Sequence, residues 1–133
     1  MKGYLLDTNI CVYFLNGKFD LEHKIEEVGI ANCFISEVTI AELKYGVEKS
    51  KYKEKNRIVL EAFQKRLKIL PIFPALNIYA TEKARLKTKG RILDDFDLLI
   101  GATAVYNSLI MVTKNVSDFD RITGIQIEDW TKY

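Results

Sequence analysis

Short apolar runs closed by turn or polar residues alternate with longer amphipathic stretches along the whole chain, and this alternation restricts the fold more than any other feature. Runs of strand length occupy residues 3–7, 32–36, 68–72 and 109–113, with a further short one at 125–127. Between them the apolar period lengthens from two residues to nearly four, which predicts helices. These cover 9–15, closed by Asn16-Gly17, then 21–28 and 39–48, the last with Ile40, Leu43 and Val47 on one face. Two more cover 54–66, with Ile58, Ala62 and Leu67 inward, and 76–89, stopped at Gly90. A last helix begins near Asp94 to Asp97 and is apolar almost all round over 98–106, which predicts burial. Strands separated by helices imply a mostly parallel sheet covered on both faces. The expected fold is one α/β domain over residues 1–133 with four to five central strands. Pro71 and Pro74 place the third strand at an edge or an ending.

Length and composition agree with such a domain. The chain has 133 residues, 48% of them hydrophobic and 29% charged, enough to bury a core and unlike a disordered chain. A net charge of +2 does not itself point to a polyanion, because a polarised surface can sit on a neutral total. Cys11 and Cys33 lie in apolar runs and read as core thiols. Without a Cys-x-x-Cys pair, and with His23 alone among Glu22, Lys24 and Glu26, the sequence holds no zinc set. The start runs directly into Tyr4-Leu5-Leu6-Asp7, and no apolar stretch reaches membrane-spanning length, so a cytoplasmic protein is expected.

Parallel α/β sheets gather ligands at the carboxyl ends of their strands. Asp7 ends the first strand, Glu42 sits in the first turn of the helix after the second, Asp97 begins the apolar helix, and Asp118 follows the fourth strand through a loop. Each has a purely structural explanation. Thr39 and Glu42 have capping-box spacing, Asp97 can cap its helix, Asp7 can form an Asx-turn, and Asp118 can end a loop. Together they are harder to dismiss, since carboxylates crowded at one rim repel each other unless a counter-charge sits among them. An all-oxygen donor set favours a hard dication, Mg²⁺ or Mn²⁺. Gly101, one turn after Asp97, leaves space there for a metal or phosphate, or serves close helix packing.

At these residues the sequence resembles the PIN-domain nucleases, in particular the VapC-type toxins of toxin-antitoxin pairs. The matching segments are Leu5-Leu6-Asp7-Thr8-Asn9, Thr39-Ile40-Ala41-Glu42-Leu43 with Gly46, Asp97-Leu98-Leu99-Ile100-Gly101-Ala102 and Thr113-Lys114-Asn115-Val116-Ser117-Asp118-Phe119. The resemblance spans essentially the whole chain. It implies that Asp7, Glu42 and Asp97 are the core acids and Asp118 the more variable fourth, supported by Thr8, Asn9, Thr113 and Asn115. It also implies a metal-dependent endoribonuclease acting on RNA, a homodimer, and a VapB-type antitoxin laid across the acidic groove. Asp94 and Asp95 are alternatives to Asp118 in the cluster.

RNA needs cations beside such a site. Lys83, Arg85, Lys87, Lys89 and Arg91 form a run without acids just before Asp94 and are the expected grip, with a second basic stretch at 49–68; either run also fits a solvated helix face. Tyr45 and Tyr52 are candidates for an interface or for ordinary packing. A phosphoacceptor signalling domain is the rival from another class. It wants its Asp at the end of the middle strand, and the third predicted strand ends without one. An Asp-x-Asp phosphatase lacks its second acid at Asp7-Thr8-Asn9. A housekeeping PIN nuclease without an antitoxin would share every catalytic residue, and an inactive relic would not keep all four acids.

Overall fold

The computed structural model describes residues 2–132, so the two ends of the domain expected over 1–133 lie outside it. Five parallel strands form the sheet: β1 (Tyr4–Leu6), β2 (Cys33–Ser36), β3 (Lys68–Leu70), β4 (Ile110–Val112) and β5 (Gln126–Glu128). They lie in the order β3-β2-β1-β4-β5. The chain steps outward from β1 in one direction through β2 to β3, then returns to the other side for β4 and β5. The direction of winding reverses between β1 and β4, and a crevice opens at their carboxyl ends.

Seven α-helices connect the strands among the described residues: α1 (Thr8–Leu15), α2 (Leu21–Val28), α3 (Glu37–Glu48), α4 (Lys53–Arg66), α5 (Leu76–Thr88), α6 (Asp95–Tyr106) and α7 (Val116–Phe119). Two of the joints are single turns of 3₁₀ helix, Ile30–Asn32 and Phe73–Ala75. Because successive strand side chains point to opposite faces, the inner strands β1, β2 and β4 each feed two cores. Tyr4, Leu6, Cys33, Ile35, Ile110 and Val112 face α1 to α4. Leu5 and Met111 face α5 to α7, against Leu98, Ile100 and Phe119. Both cysteines are buried free thiols, as expected. No described helix is long and apolar enough to cross a membrane.

Four local expectations are corrected. Helix α3 starts at Glu37, two residues before the expected start, because the Ser36 hydroxyl accepts the Val38 N–H at 3.0 Å and caps it. Thr39 and Glu42 therefore form no capping box, and Glu42 lies in the second turn. Asp94, not Asp97, caps α6, accepting the Phe96 N–H at 3.1 Å. Asp118 lies in the short helix α7 and not in a loop. Along α4, Leu60, Phe63 and Leu67 turn inward while Ile58 and Ala62 stay exposed, the rotation being set by Phe63 against Phe14 at 5.4 Å between ring centres.

Gly101 resolves to close packing. A Cβ there would stand 2.3 Å from Cδ1 of Ile122 and 3.4 Å from the Phe119 ring, so α6 seats against the segment after α7. Glu82 of α5 locks the same segment from the side. It is buried, accepts two hydrogen bonds from Arg85, and takes the Thr123 N–H at 2.7 Å. The Arg85 guanidinium and this N–H hold the Glu82 carboxyl down at about 2, against the resistance of burial.

A depressed carboxyl contributes stability that is present above its ordinary value of 4.5 and is lost as pH falls through about 2. Glu82→Ala, which strands Arg85 and the Thr123 N–H, is expected to cost about 2 kcal/mol in urea unfolding at pH 7. An unchanged midpoint would show that the lock carries no stability.

Candidate active site

The crevice between β1 and β4 holds the first acid. Asp7 follows β1 directly and is buried, 3% exposed. Its Oδ1 accepts the Thr8 N–H at 2.7 Å, at the start of α1, and its Oδ2 accepts the Thr113 hydroxyl at 2.9 Å, across from the end of β4. Thr113 in turn accepts the Asn115 N–H at 3.0 Å. Burial pushes the Asp7 carboxyl above its ordinary value, the bonds from Thr113 and Thr8 draw it back, and the nearby charge of Glu42 adds to the rise.

Glu42 reaches the same crevice from α3. Its Oε1 accepts the Thr8 hydroxyl at 2.7 Å, and Thr8 also touches the Thr39 hydroxyl at 3.0 Å. Asp97, in the first turn of α6, is half-buried, and its carboxyl is pushed up to about 6. Burial is the chief cause, followed by the charges of Asp7, Asp94, Glu42 and Asp118. The other three expected acids thus all act on Asp97 across the crevice. Asp118 stands at its rim, with Arg121 3.6 Å away.

Of the two alternative acids, Asp95 is turned aside into a pair with Lys83 at 2.9 Å and accepts the Tyr79 hydroxyl. Asp94 is occupied as the cap of α6 but still adds its charge at Asp97. Asn9 is exposed, and Asn115 contributes its backbone N–H, so neither asparagine side chain is seen holding an acid. Within the expected basic grip, Arg85 is spent on Glu82 and Lys83 on Asp95, which leaves Lys87, Lys89 and Arg91 exposed. Lys114 lies over the rings of Tyr13 and Phe19, at 5.8 and 5.7 Å, and not against Asp7.

The strand order removes one objection to a phosphoacceptor domain, because β1 is the central strand and does end in an acid, Asp7. Against that rival stands the position of Lys114, which is drawn to the aromatic pair. Thr39 carried no site signal in the sequence, since its spacing from Glu42 imitates a cap; a hydroxyl at Ser36, three residues earlier, is the signal that could have freed it from that role. It also overlooked Glu82, whose spacing of three from Arg85 marks a helical ion pair. A groove of about 530 Å³ runs from Thr8 and Glu42 between α1, α3 and α4, past Val12, Leu43, Asn56 and Val59.

The donor chemistry suits a hard cation. Asp7, Glu42 and Asp97 form no ion pair with any described lysine or arginine, so no described basic side chain offsets their repulsion. As the side chains stand, no three His, Cys, Asp or Glu among the described residues are gathered to hold a metal ion. Binding one would require the acids to draw together.

Asp97 gives a measurable consequence without any ligand. A carboxyl raised in the folded state favours folding below its unfolded value, and that favour is lost as pH rises through about 6. At pH 7 the ionised group therefore works against the fold. Asp97→Asn is expected to stabilise the metal-free protein by about 1–2 kcal/mol at pH 7, after allowing for solvent screening, and by progressively less toward pH 4. Unfolding midpoints that differ equally at both pH values would refute this assignment of the repulsion.

Comparison with known proteins agrees with this fold. The PIN domain family model matches residues 4–125. The chain is 39% identical to Ribonuclease VapC2 of Rickettsia felis over 97% of its own length and 98% of the relative's. It is 35% identical to the tRNA(fMet)-specific endonuclease VapC of Shigella flexneri, over 98% of this chain and 100% of that one. Its fold superposes with a TM-score of 0.90 on a chain from the crystal structure of DNA-bound VapBC from Salmonella typhimurium, at 34% identity, covering 98% of this chain and 99% of that one. The chain belongs to the PIN-domain family, among the VapC ribonucleases.

Proposed function

We propose that this protein is an endoribonuclease that hydrolyses phosphodiester bonds in RNA with Mg²⁺ or Mn²⁺ held among Asp7, Glu42, Asp97 and Asp118, and that it is the toxin of a toxin-antitoxin pair. The observation that carries this reading is the placement of Asp7, Glu42, Asp97 and Asp118, from four segments, around one crevice, with Asp7 and Glu42 each held by a threonine hydroxyl and no described basic side chain paired with Asp97. A bound dication would supply the missing charge, lower the pKa of a bound water and neutralise the phosphate under attack.

The chain's own residues divide the remaining work. Asp7 and Glu42 are oriented by Thr113 and Thr8, so they present fixed oxygens. Asp97 and Asp118 complete the donor set. Lys87, Lys89 and Arg91 are the free cations that would hold RNA phosphates, which makes binding weaken as salt rises. The groove beside Glu42 is where an antitoxin segment would lie, and the exposed Tyr45, Tyr52, Ile58 and Val59 are apolar surface for such a partner or for a second copy.

Digestion of total RNA by the purified chain, with and without EDTA, followed by mapping of the new ends, tests the reaction. Initiator tRNA is the first RNA to examine, since one relative is named for tRNA(fMet). Cleavage is expected only with Mg²⁺ or Mn²⁺, and Asp7→Asn should stay folded while losing at least about a hundredfold in rate. Wild-type cleavage in EDTA, or by the Asp7→Asn protein, would overturn the metal assignment. Growth arrest on expression, relieved by the partner protein, separates a toxin from a housekeeping nuclease.

A further inference from the structure

Thr39 has the spacing of a helix cap, yet Ser36 caps α3 and leaves Thr39 inside the helix, wholly buried. A threonine within a helix commonly gives its proton to the carbonyl one turn back. Here the hydroxyl instead lies 3.0 Å from the Thr8 hydroxyl, thirty-one residues away in sequence. A hydroxyl has one proton to give. Thr8 gives its proton to Glu42 Oε1 at 2.7 Å, so the proton between the two hydroxyls comes from Thr39. The direction of the chain is thereby fixed: Thr39 donates to Thr8, and Thr8 donates to Glu42.

Asp7 is held by the same device. The Asn115 N–H donates to the Thr113 hydroxyl, which donates to Asp7 Oδ2. In each case a threonine spends its single proton on an acid because a donor behind it occupies its oxygen. The donor behind Thr113 belongs to the backbone, whereas the donor behind Thr8 is a side chain that substitution can remove. We propose that Thr39 is a positioning residue for the acidic site, holding Thr8 in the rotamer that orients Glu42. The inference rests on the reading that Glu42 serves a cation site, and it assigns to Thr39 a role apart from helix capping or packing.

Thr39→Val keeps the shape and burial of the side chain and removes only the donor, and Thr39→Ser restores the donor. Calorimetric titration of the RNA-free protein with Mn²⁺ is the primary readout, with thermal unfolding alongside. Thr39→Val is expected to weaken Mn²⁺ binding about tenfold with little change in Tm, and Thr39→Ser to recover most of the loss. Thr8→Val should weaken binding at least as much, and the Thr8→Val/Thr39→Val pair no further, because Thr39 acts through Thr8. Unchanged affinity in Thr39→Val, or losses that multiply in the pair, would overturn the proposal. In metal-free wild-type protein the Thr39 hydroxyl proton should give a slowly exchanging NMR signal with an NOE to Thr8, absent in Thr8→Val. Protein that shows this signal but binds no Mn²⁺ keeps the relay and defeats the metal reading; protein that binds Mn²⁺ without the signal defeats the relay.

Discussion

The contact between Thr113 and Asp7 closes the crevice on which the rest of the site depends. It joins the ends of two neighbouring parallel strands that belong to opposite windings of the chain, 106 residues apart in sequence. A carboxylate at the end of a central strand is cut off from water by the sheet and its helices, and without donors it would be too costly to keep charged. The Thr113 hydroxyl and the Thr8 N–H supply those donors, and α1 begins at that point. One residue therefore starts a helix, ties two strands together and provides the deepest acid.

Around this centre the two faces of the sheet contribute differently. The α1–α4 face brings Glu42, already bound through Thr8. The α5–α7 face brings Asp97 and Asp118 on helices seated by tight apolar contacts and by Glu82. That lock, together with the separate Lys83–Asp95 pair, also determines which cations are available. Within a run of five basic residues, Arg85 and Lys83 are drawn into internal pairs, and only those nearer Gly90 remain free to meet a polyanion. Counting charges along a sequence overstates a basic surface when a carboxylate just outside the run, here Glu82, is counted elsewhere.

Much of this could be read from the sequence because the physical signals were redundant. The strands at 3–7, 32–36 and 109–113 are bounded by polar residues and separated by helix-period stretches, and the sheet follows from them. The end strand β3 was marked by Pro71, which has no N–H to give to a further neighbour. What misled were local signals with near duplicates. The sequence offered Thr39 and Asp97 as caps, whereas the hydrogen bonds give those roles to Ser36 and Asp94, each three residues earlier. The rotation of α4 depends on a ring from α1, which no local pattern contains. Gly101 was ambiguous because a missing side chain looks the same whether a ligand or Ile122 takes the space.

Two acids of the site are tethered through threonines, and two are not. Asp118 rides on a single helical turn at the rim, with only a loose approach from Arg121, and Asp97 receives repulsion in place of donors. A half-tethered set of oxygens does not impose one radius on what it surrounds, as a rigid cage would. Applied to the proposed metal site, this adaptability leaves the choice between similar hard ions to their relative supply in the cell rather than to the fit of the pocket.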